Sequence, residues 1–558
     1  MNMQRCSGGE YSMQNGQSTI GEYLLKKLQD YGVDHIFGIP GDYVVQFFDL
    51  IEKGPIQHIG TTREDTAGFA ADAYARIKGM GATCVTYGVG GLSMINAVTA
   101  AYAEKSPLVV ISGSPGIKER REGALLHHKG RDFYTQQRIY DEITVASALL
   151  DEPFTAFNEI DRVLDAVYRQ KRPGYIELPR DMVSIQGQVY QRPSTVGHRS
   201  APETLNAALA NAIGFINQSE NPIILAGADL HRFGYQNKLL RLTEEKQIPV
   251  VTTLLGKSVM PEAHPLYLGI YGGGMSRDEV SMLVETSDCV IILGAFMTDV
   301  NLGIYTAKLE RSRCLYATSD RIAVGYSTYE DITFGDFIDG LRSPKLQERG
   351  DIDLEWIMEV PEPFKIAPDQ PLTMHRLFQQ LNLLLRENMT IIPDVGDSLW
   401  AAADLRLPER TEFISLAYYT SMGFAIPAAI GAQLGKPTSR PLVVVGDGAF
   451  QMTGTELSTT IRYGLNPIVL ILNNQGYGTV RPFIEGSFND IENWDYTRVP
   501  ELFGTGRAFA VRTEGEFDTA MNAALAETQH FVLIEAALGK SDMSPALIRL
   551  AEQVSKQL

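Results

Sequence analysis

The chain has 558 residues and sets 49 Lys and Arg against 67 Asp and Glu, a net charge of −18. So acidic a surface repels phosphate backbones, which argues against a nucleic-acid partner, and no apolar run approaches the ~20 residues that cross a bilayer, which argues against a membrane partner. The length corresponds to about three or four domains, and Cys6, Cys84, Cys289 and Cys314 lack CxxC spacing, so reduced structural thiols in a cytoplasmic protein are expected.

Residues 1–17 are polar and glycine-rich, without the apolar core of a signal peptide, and read as a disordered extension. From Ser18 to Tyr31 a Ser/Thr cap precedes apolar residues at helical spacing. VDHIFGIPGD then gives a short strand and a turn at Gly38 to Asp42, and Glu64 opens an alanine-rich helix whose small residues permit close packing. The stretch from Ala82 to Gly113 reads strand, glycine turn, helix, proline and apolar strand. A proline- and serine-bearing linker is expected over 186–203. Beyond it, NPIILAGADL, IPVVTTLLGK and DCVIILGAFM are buried-strand runs between helical stretches, another parallel α/β domain. Gly227 and Gly294 there begin no GxGxxG, which speaks against a nucleotide site. A charged, proline-rich connector, 345–370, leads to the last domain.

The most informative stretch, Pro441 to Asn474, reads PLVVVGDGAFQMTGTELSTTIRYGLNPIVLILNN. An apolar strand breaks at Gly446-Asp447-Gly448 into a crossover helix, and a second apolar strand ends in two asparagines. Ligands lie beyond the carboxyl ends of such strands, so Asp447 and Asn474 are expected side by side. A carboxylate and an amide oxygen suit magnesium, and glycines let a backbone close on a phosphate. Taken alone, GDG is a turn; with the crossover and the closing NN it proposes a magnesium-diphosphate site. The span from Gly88 to Pro107 nearly matches that from Gly446 to Pro467, so the first and last domains read as two copies of one architecture.

GDG, a crossover and NN resemble the cofactor motif of thiamine diphosphate enzymes. GIPGD with Asp42, Glu64 at a helix start, LLHHKGR with His127 and His128, and NWDY at Asn493 to Tyr496 narrow the resemblance to the 2-keto acid decarboxylases. The likeness covers nearly all of the chain from Ser18 and implies three parallel-sheet α/β domains: a pyrimidine-binding domain over 18–185, a central domain over 201–343 and a diphosphate- and magnesium-binding domain over 371–541. A tail, 542–558, follows.

The resemblance also implies roles. Asp447, Asn474 and the carbonyl of Gly476 bind magnesium, with Gly446 and Gly448 beside the diphosphate. Glu64 serves the pyrimidine, Met422 wedges the cofactor's bend and the Thr420 carbonyl accepts from its amino group. Asp42, His127 and His128 carry protons near neutral pH, and Thr86 lines the substrate. Neighbouring histidines diverge on a helix or a strand, which argues against a shared zinc site. Pyruvate decarboxylases carry a glutamate four residues after the metal-binding glycine, whereas here Val480 stands. That departure, with YYTSMGF and GDGAFQMTG, resembles the phenylpyruvate and indolepyruvate branch, so an aromatic 2-keto acid is the expected substrate. A homodimer or homotetramer with active sites at the subunit interface is expected. The alternatives are an acyloin-forming carboligase and a non-catalytic cofactor-binding relative.

Overall fold

A computed structural model describes residues 18–187, 199–350 and 364–555. The expected extension 1–17 lies outside the described residues, as do most of the linker and the middle of the connector. Two compact units are present: the described residues below 194 together with 430–436, and 194–429 with 437–558.

The first unit opens with the helix Ile20–Asp30. Thr19 and Glu22 form a capping box in which each accepts the other's backbone N–H. Its sheet contains β1 (His35–Gly38), β2 (Gln57–Gly60), β3 (Gly81–Val85), β4 (Leu108–Ser114), β5 (Ala146–Leu149) and β6 (Gly174–Pro179). The strands are all parallel in the order β2-β1-β3-β4-β6-β5. Parallel strands covered by helices are buried on both faces, and β3, β4 and β6 are buried at every residue. The helix Glu64–Lys78 packs tightly on the helix Ile95–Ala103: a Cβ added to Gly68 would lie 2.6 Å from that of Ala97. Within this contact Arg76 pairs with Asp72 at 2.7 Å and Glu104 at 3.0 Å, all three buried, so each buried carboxylate has the guanidinium as a partner.

In the second unit the central sheet contains β7 (Pro222–Ala226), β8 (Val250–Thr252), β9 (Tyr267–Ile270), β10 (Cys289–Leu293), β11 (Cys314–Ala317), β12 (Ile322–Val324) and β13 (Ser327–Tyr329). Its order is β13-β12-β11-β10-β7-β8-β9, with β11, β12 and β13 antiparallel and the rest parallel. Gly227 and Gly294 serve packing here. A Cβ on Gly227 would stand 2.2 Å from the Cα of Ala295, and one on Gly294 2.9 Å from the Cβ of Asp229.

The third sheet contains β14 (Met389–Pro393), β15 (Glu412–Phe413), β16 (Arg440–Gly446), β17 (Ile468–Asn473), β18 (Arg507–Val511) and β19 (Val532–Ala537). It is all parallel in the order β15-β14-β16-β17-β19-β18. Counted from its own first strand this is the order of the first sheet, so the two share one topology. The segment expected as a tail forms the helix Pro545–Ser555, whose Leu547 and Leu550 are buried in the core of this unit. An amphipathic helix with apolar residues three apart buries that stripe when a core is offered.

Candidate active site

Each of the two like sheets reverses its strand order once near the first strand, between β1 and β3 and between β14 and β16. A ligand crevice forms beyond the carboxyl ends at such a switch point. The sequence-predicted residues fall at both.

In the first unit, Asp42 lies in the turn after β1 and Thr86 directly follows β3. A Cβ added to Gly41 would meet the Cβ of Thr86 at 2.5 Å, so the two turns are in contact. Glu64, half-buried at its helix start, lies close to the same place: its Oε1 would be 3.7 Å from a Cβ on Gly90. His127 Nε2 is 2.8 Å from Asp42 Oδ2, and the two imidazole centroids are 4.6 Å apart at 82°. The histidines therefore converge, contrary to the expected divergence; one ligand atom each from Asp42, His127 and His128 lies within 4.8 Å of the others. The cause is local. They sit in a loop rather than a regular element, and His128 adopts a left-handed φ of 64°.

Two residues missed by sequence reading hold this region, Tyr43 at the loop itself and Gln136 at the Gly88 turn against which His128 packs. Tyr43 stacks on His127 at 4.9 Å and donates its hydroxyl to the His127 carbonyl at 3.2 Å. Gln136 is buried, accepts the Gly88 N–H at 2.8 Å and donates to Ser112 and Tyr175. Glu177, beneath it, accepts from Tyr175 and pairs with Arg120; burial raises its carboxyl above the usual range. Neither Tyr43 nor Gln136 stands in a recognisable pattern.

In the second unit, β16 runs to Gly446 and a helix begins at Asp447 with no loop between them. The Asp447 carboxylate is buried and accepts the N–H of Gly448 at 2.7 Å and of Gly476 at 3.1 Å. Burial pushes its pKa up to about 6 against those hydrogen bonds. The two asparagines part: Asn473 is the last residue of β17 and Asn474 lies in the bend that follows. Asn473 donates to Glu535 at 2.6 Å and Asn493 at 2.8 Å, while Asn474 is half-buried beside Gly478. Gly476 has φ 153°, and a Cβ there would strike the Asn489 carbonyl oxygen at 2.0 Å, so only glycine fits.

NWDY supports this floor from below. Asn493 accepts from Asn473, and the buried Tyr496 accepts from Gln451 at 3.0 Å. Thr420 has a left-handed φ of 54°, and Met422 is half-buried in the turn that follows. Val480 is 46 % exposed, on the same segment as exposed Phe483 and Ile484. Glu485 is taken up by Arg481 at 2.6 Å.

These residues fit a magnesium-diphosphate group on two counts. Asp447 is a desolvated carboxylate with only N–H donors and, among the described residues, no cationic side chain hydrogen-bonded to it. A Cβ on Gly446 would meet nothing within 4 Å, so the protein itself does not demand glycine there, whereas a phosphate approaching the backbone would.

Residues 18–139 match the thiamine pyrophosphate enzyme N-terminal TPP binding domain, 209–336 its central domain and 394–536 its C-terminal TPP binding domain. The chain is 37% identical over 543 residues to the indole-3-pyruvate decarboxylase of Azospirillum brasilense, covering 96% of this chain and 98% of that one. It is 35% identical over 550 residues to an alpha-keto-acid decarboxylase of Mycolicibacterium paratuberculosis, covering 96% and 97%. With three domain matches and full-length similarity on a fold that puts the motif residues at two matching switch points, the chain belongs to the thiamine pyrophosphate-dependent 2-keto acid decarboxylase family.

Proposed function

We propose that the protein decarboxylates an aromatic 2-keto acid, phenylpyruvate or indolepyruvate, to the aldehyde and carbon dioxide, with magnesium anchoring the thiamine diphosphate. The observation that carries the magnesium assignment is the buried Asp447, enclosed by amide donors and, among the described residues, lacking a cationic hydrogen-bond partner. The aromatic assignment is supported by Val480, where a carboxyl side chain would make the wall polar, and by similarity to the indole-3-pyruvate decarboxylase. An aromatic ring against that wall gains about 25 cal/mol for each Å² removed from water.

When bound, thiamine diphosphate supplies a nucleophilic carbon and an electron sink for the carboxylate's departure. In this reading Asp447, Asn474 and the Gly476 carbonyl hold magnesium, and Gly446 and Gly448 admit the diphosphate to the backbone. Glu64 would hydrogen-bond the pyrimidine ring, the Thr420 carbonyl would accept from its amino group, and the Met422 side chain would support the cofactor from the turn that follows. Asp42 and His127 form a proton-transfer pair with His128 beside it, and Thr86 borders the substrate.

The domain limits 18–185, 201–343 and 371–541 belong to the same proposal, as does a homodimer or homotetramer in which Glu64 of one chain and Asp447 of another serve one cofactor.

The test is aldehyde formation from phenylpyruvate, indolepyruvate and pyruvate with magnesium and thiamine diphosphate, with mass analysis of products. Phenylacetaldehyde or indoleacetaldehyde with little acetaldehyde supports the proposal. A hydroxyketone would move the chain to carboligation, which the missing carboxyl at Val480 also favours.

A further inference from the structure

Asp394, the residue directly after β14, is fully buried, as no part of its side chain reaches solvent. Its backbone N–H donates to the Val444 carbonyl at 2.8 Å, which holds it beside the end of β16. Its Oδ1 accepts the N–H of Val395 at 2.9 Å and of Gly423 at 3.0 Å, and its Oδ2 accepts the N–H of Ala425 at 2.8 Å. Every partner is a donor, so a group that only accepts is required. No cationic side chain pairs with it among the described residues, and burial pushes its pKa up to about 6. Burying a carboxylate is costly, and the three N–H donors offset part of that cost.

The segment it holds is strained. Thr420, a non-glycine residue, has φ 54°, and Gly423 has φ 87°, so two left-handed residues lie within four positions. Gly423 is gripped from both sides: its N–H by Asp394, and its carbonyl by the Thr453 hydroxyl at 2.9 Å. Thr453 ends the helix that Asp447 begins. The turn 420–425 is thus referred to both the end of β14 and the helix bearing the proposed metal ligand.

We propose that Asp394 is a positioning residue whose carboxylate, with Thr453, sets the turn 420–425, and so the Thr420 carbonyl and the Met422 side chain, before any cofactor arrives. The proposal rests on the assignment of Thr420 and Met422 to the cofactor's pyrimidine. Asp394 touches no reacting atom. Its contribution is preorganisation, since a turn already held in its strained form need not be ordered when the cofactor binds.

The test pairs Asp394→Asn with Thr453→Val and reads amide hydrogen exchange by mass spectrometry in cofactor-free protein, then kinetics and cofactor binding. Asn turns one acceptor into a donor facing an N–H, so exchange over 416–426 should rise while β14, β16 and β17 keep their protection. In loaded protein kcat should fall about 10- to 100-fold, the loss of a hydrogen bond to a charged group, with KM for the keto acid changed less than about threefold. A merely structural loss would instead raise exchange throughout the sheet. Thr453→Val should give a smaller effect at the same peptides, and it decides the matter if Asp394→Asn does not fold. Unchanged exchange at 416–426 in either folded variant, or a uniform rise across the sheet, overturns the proposal. Exchange is read without substrate or cofactor, so a wrong substrate assignment leaves this outcome intact.

Discussion

The amide of Gly476 donates to the carboxylate of Asp447 across 3.1 Å, joining the residue that opens the crossover helix to the turn after the next strand. One turn is left-handed at Gln475 and close-packed at Gly476, the other begins a helix without a loop. Each fixes the other, so the carboxylate proposed to bind magnesium is held in place by the fold itself. Asp447→Asn should leave the fold intact and weaken magnesium-dependent binding of thiamine diphosphate by at least about 100-fold, since an ion–carboxylate contact is lost. Calorimetric titration with and without magnesium measures this; retained binding removes Asp447 from the metal site.

Glu64 is half-buried at the first turn of its helix, near Gly90 and Thr86. Glu64→Gln keeps the shape and removes the charge. Turnover should drop at least about 100-fold, as for loss of a general acid–base partner, while magnesium and diphosphate affinity stay within about twofold. Full turnover in the variant would end the pyrimidine assignment.

Asp42 and His127 are both about half exposed, so their 2.8 Å contact adds less than about 1 kcal/mol to stability. Asp42→Asn should therefore shift the melting temperature by only about 2 °C or less and lower kcat by about 10²-fold. A large loss of stability with normal kcat would make the pair structural.

Val480 is 46 % exposed, and its replacement by Ala or Glu should change stability by less than about 0.5 kcal/mol. Selectivity is the readout. The ratio of kcat/KM for phenylpyruvate to that for pyruvate should fall about 3- to 10-fold in Val480→Ala and further in Val480→Glu, in line with the loss of one to a few apolar groups from a pocket wall. An unaltered ratio in both variants places the specificity wall elsewhere.

Asp397 accepts the Ser544 N–H at 2.8 Å and its hydroxyl, tying the start of the helix Asp397–Ala403 to the residue before the helix Pro545–Ser555. Burial pushes its pKa up to about 6, above the ~3.9 of an unfolded chain. A carboxyl raised on folding binds more protons folded than unfolded between those values, so its contribution to stability is fullest below the unfolded value and is lost as pH rises through about 6. Asn does not titrate. The melting temperature of the wild type minus that of Asp397→Asn should decline from pH 4 to pH 6 and level off above; a rise over that range would mean that the ionised form is favoured by the fold.

Much of the site was legible because its chemistry is local. Asp447, Asn474 and Gly476 stand on or just beyond a strand–helix–strand unit whose period and glycines are readable in sequence. The helix beginning at Glu64 was marked by its alanines. What escaped depends on contacts between distant segments. Gln136 acts 48 positions from Gly88, and Asp394 reaches Gly423 and Ala425, 29 and 31 positions on. An isolated aspartate or glutamine in an ordinary stretch carries no sign of such a partner.

The histidine pair marks the boundary most clearly. The parallel α/β plan and its repeat in the first and last domains were readable in sequence, because periodicity and glycine spacing act over a few residues. Only the tertiary structure decided that His127 and His128 converge on Asp42, that residues 545–555 are a packed helix, and that Gly227 and Gly294 serve close packing. Loop dihedrals and burial are set by what the rest of the chain places alongside, and that information is non-local.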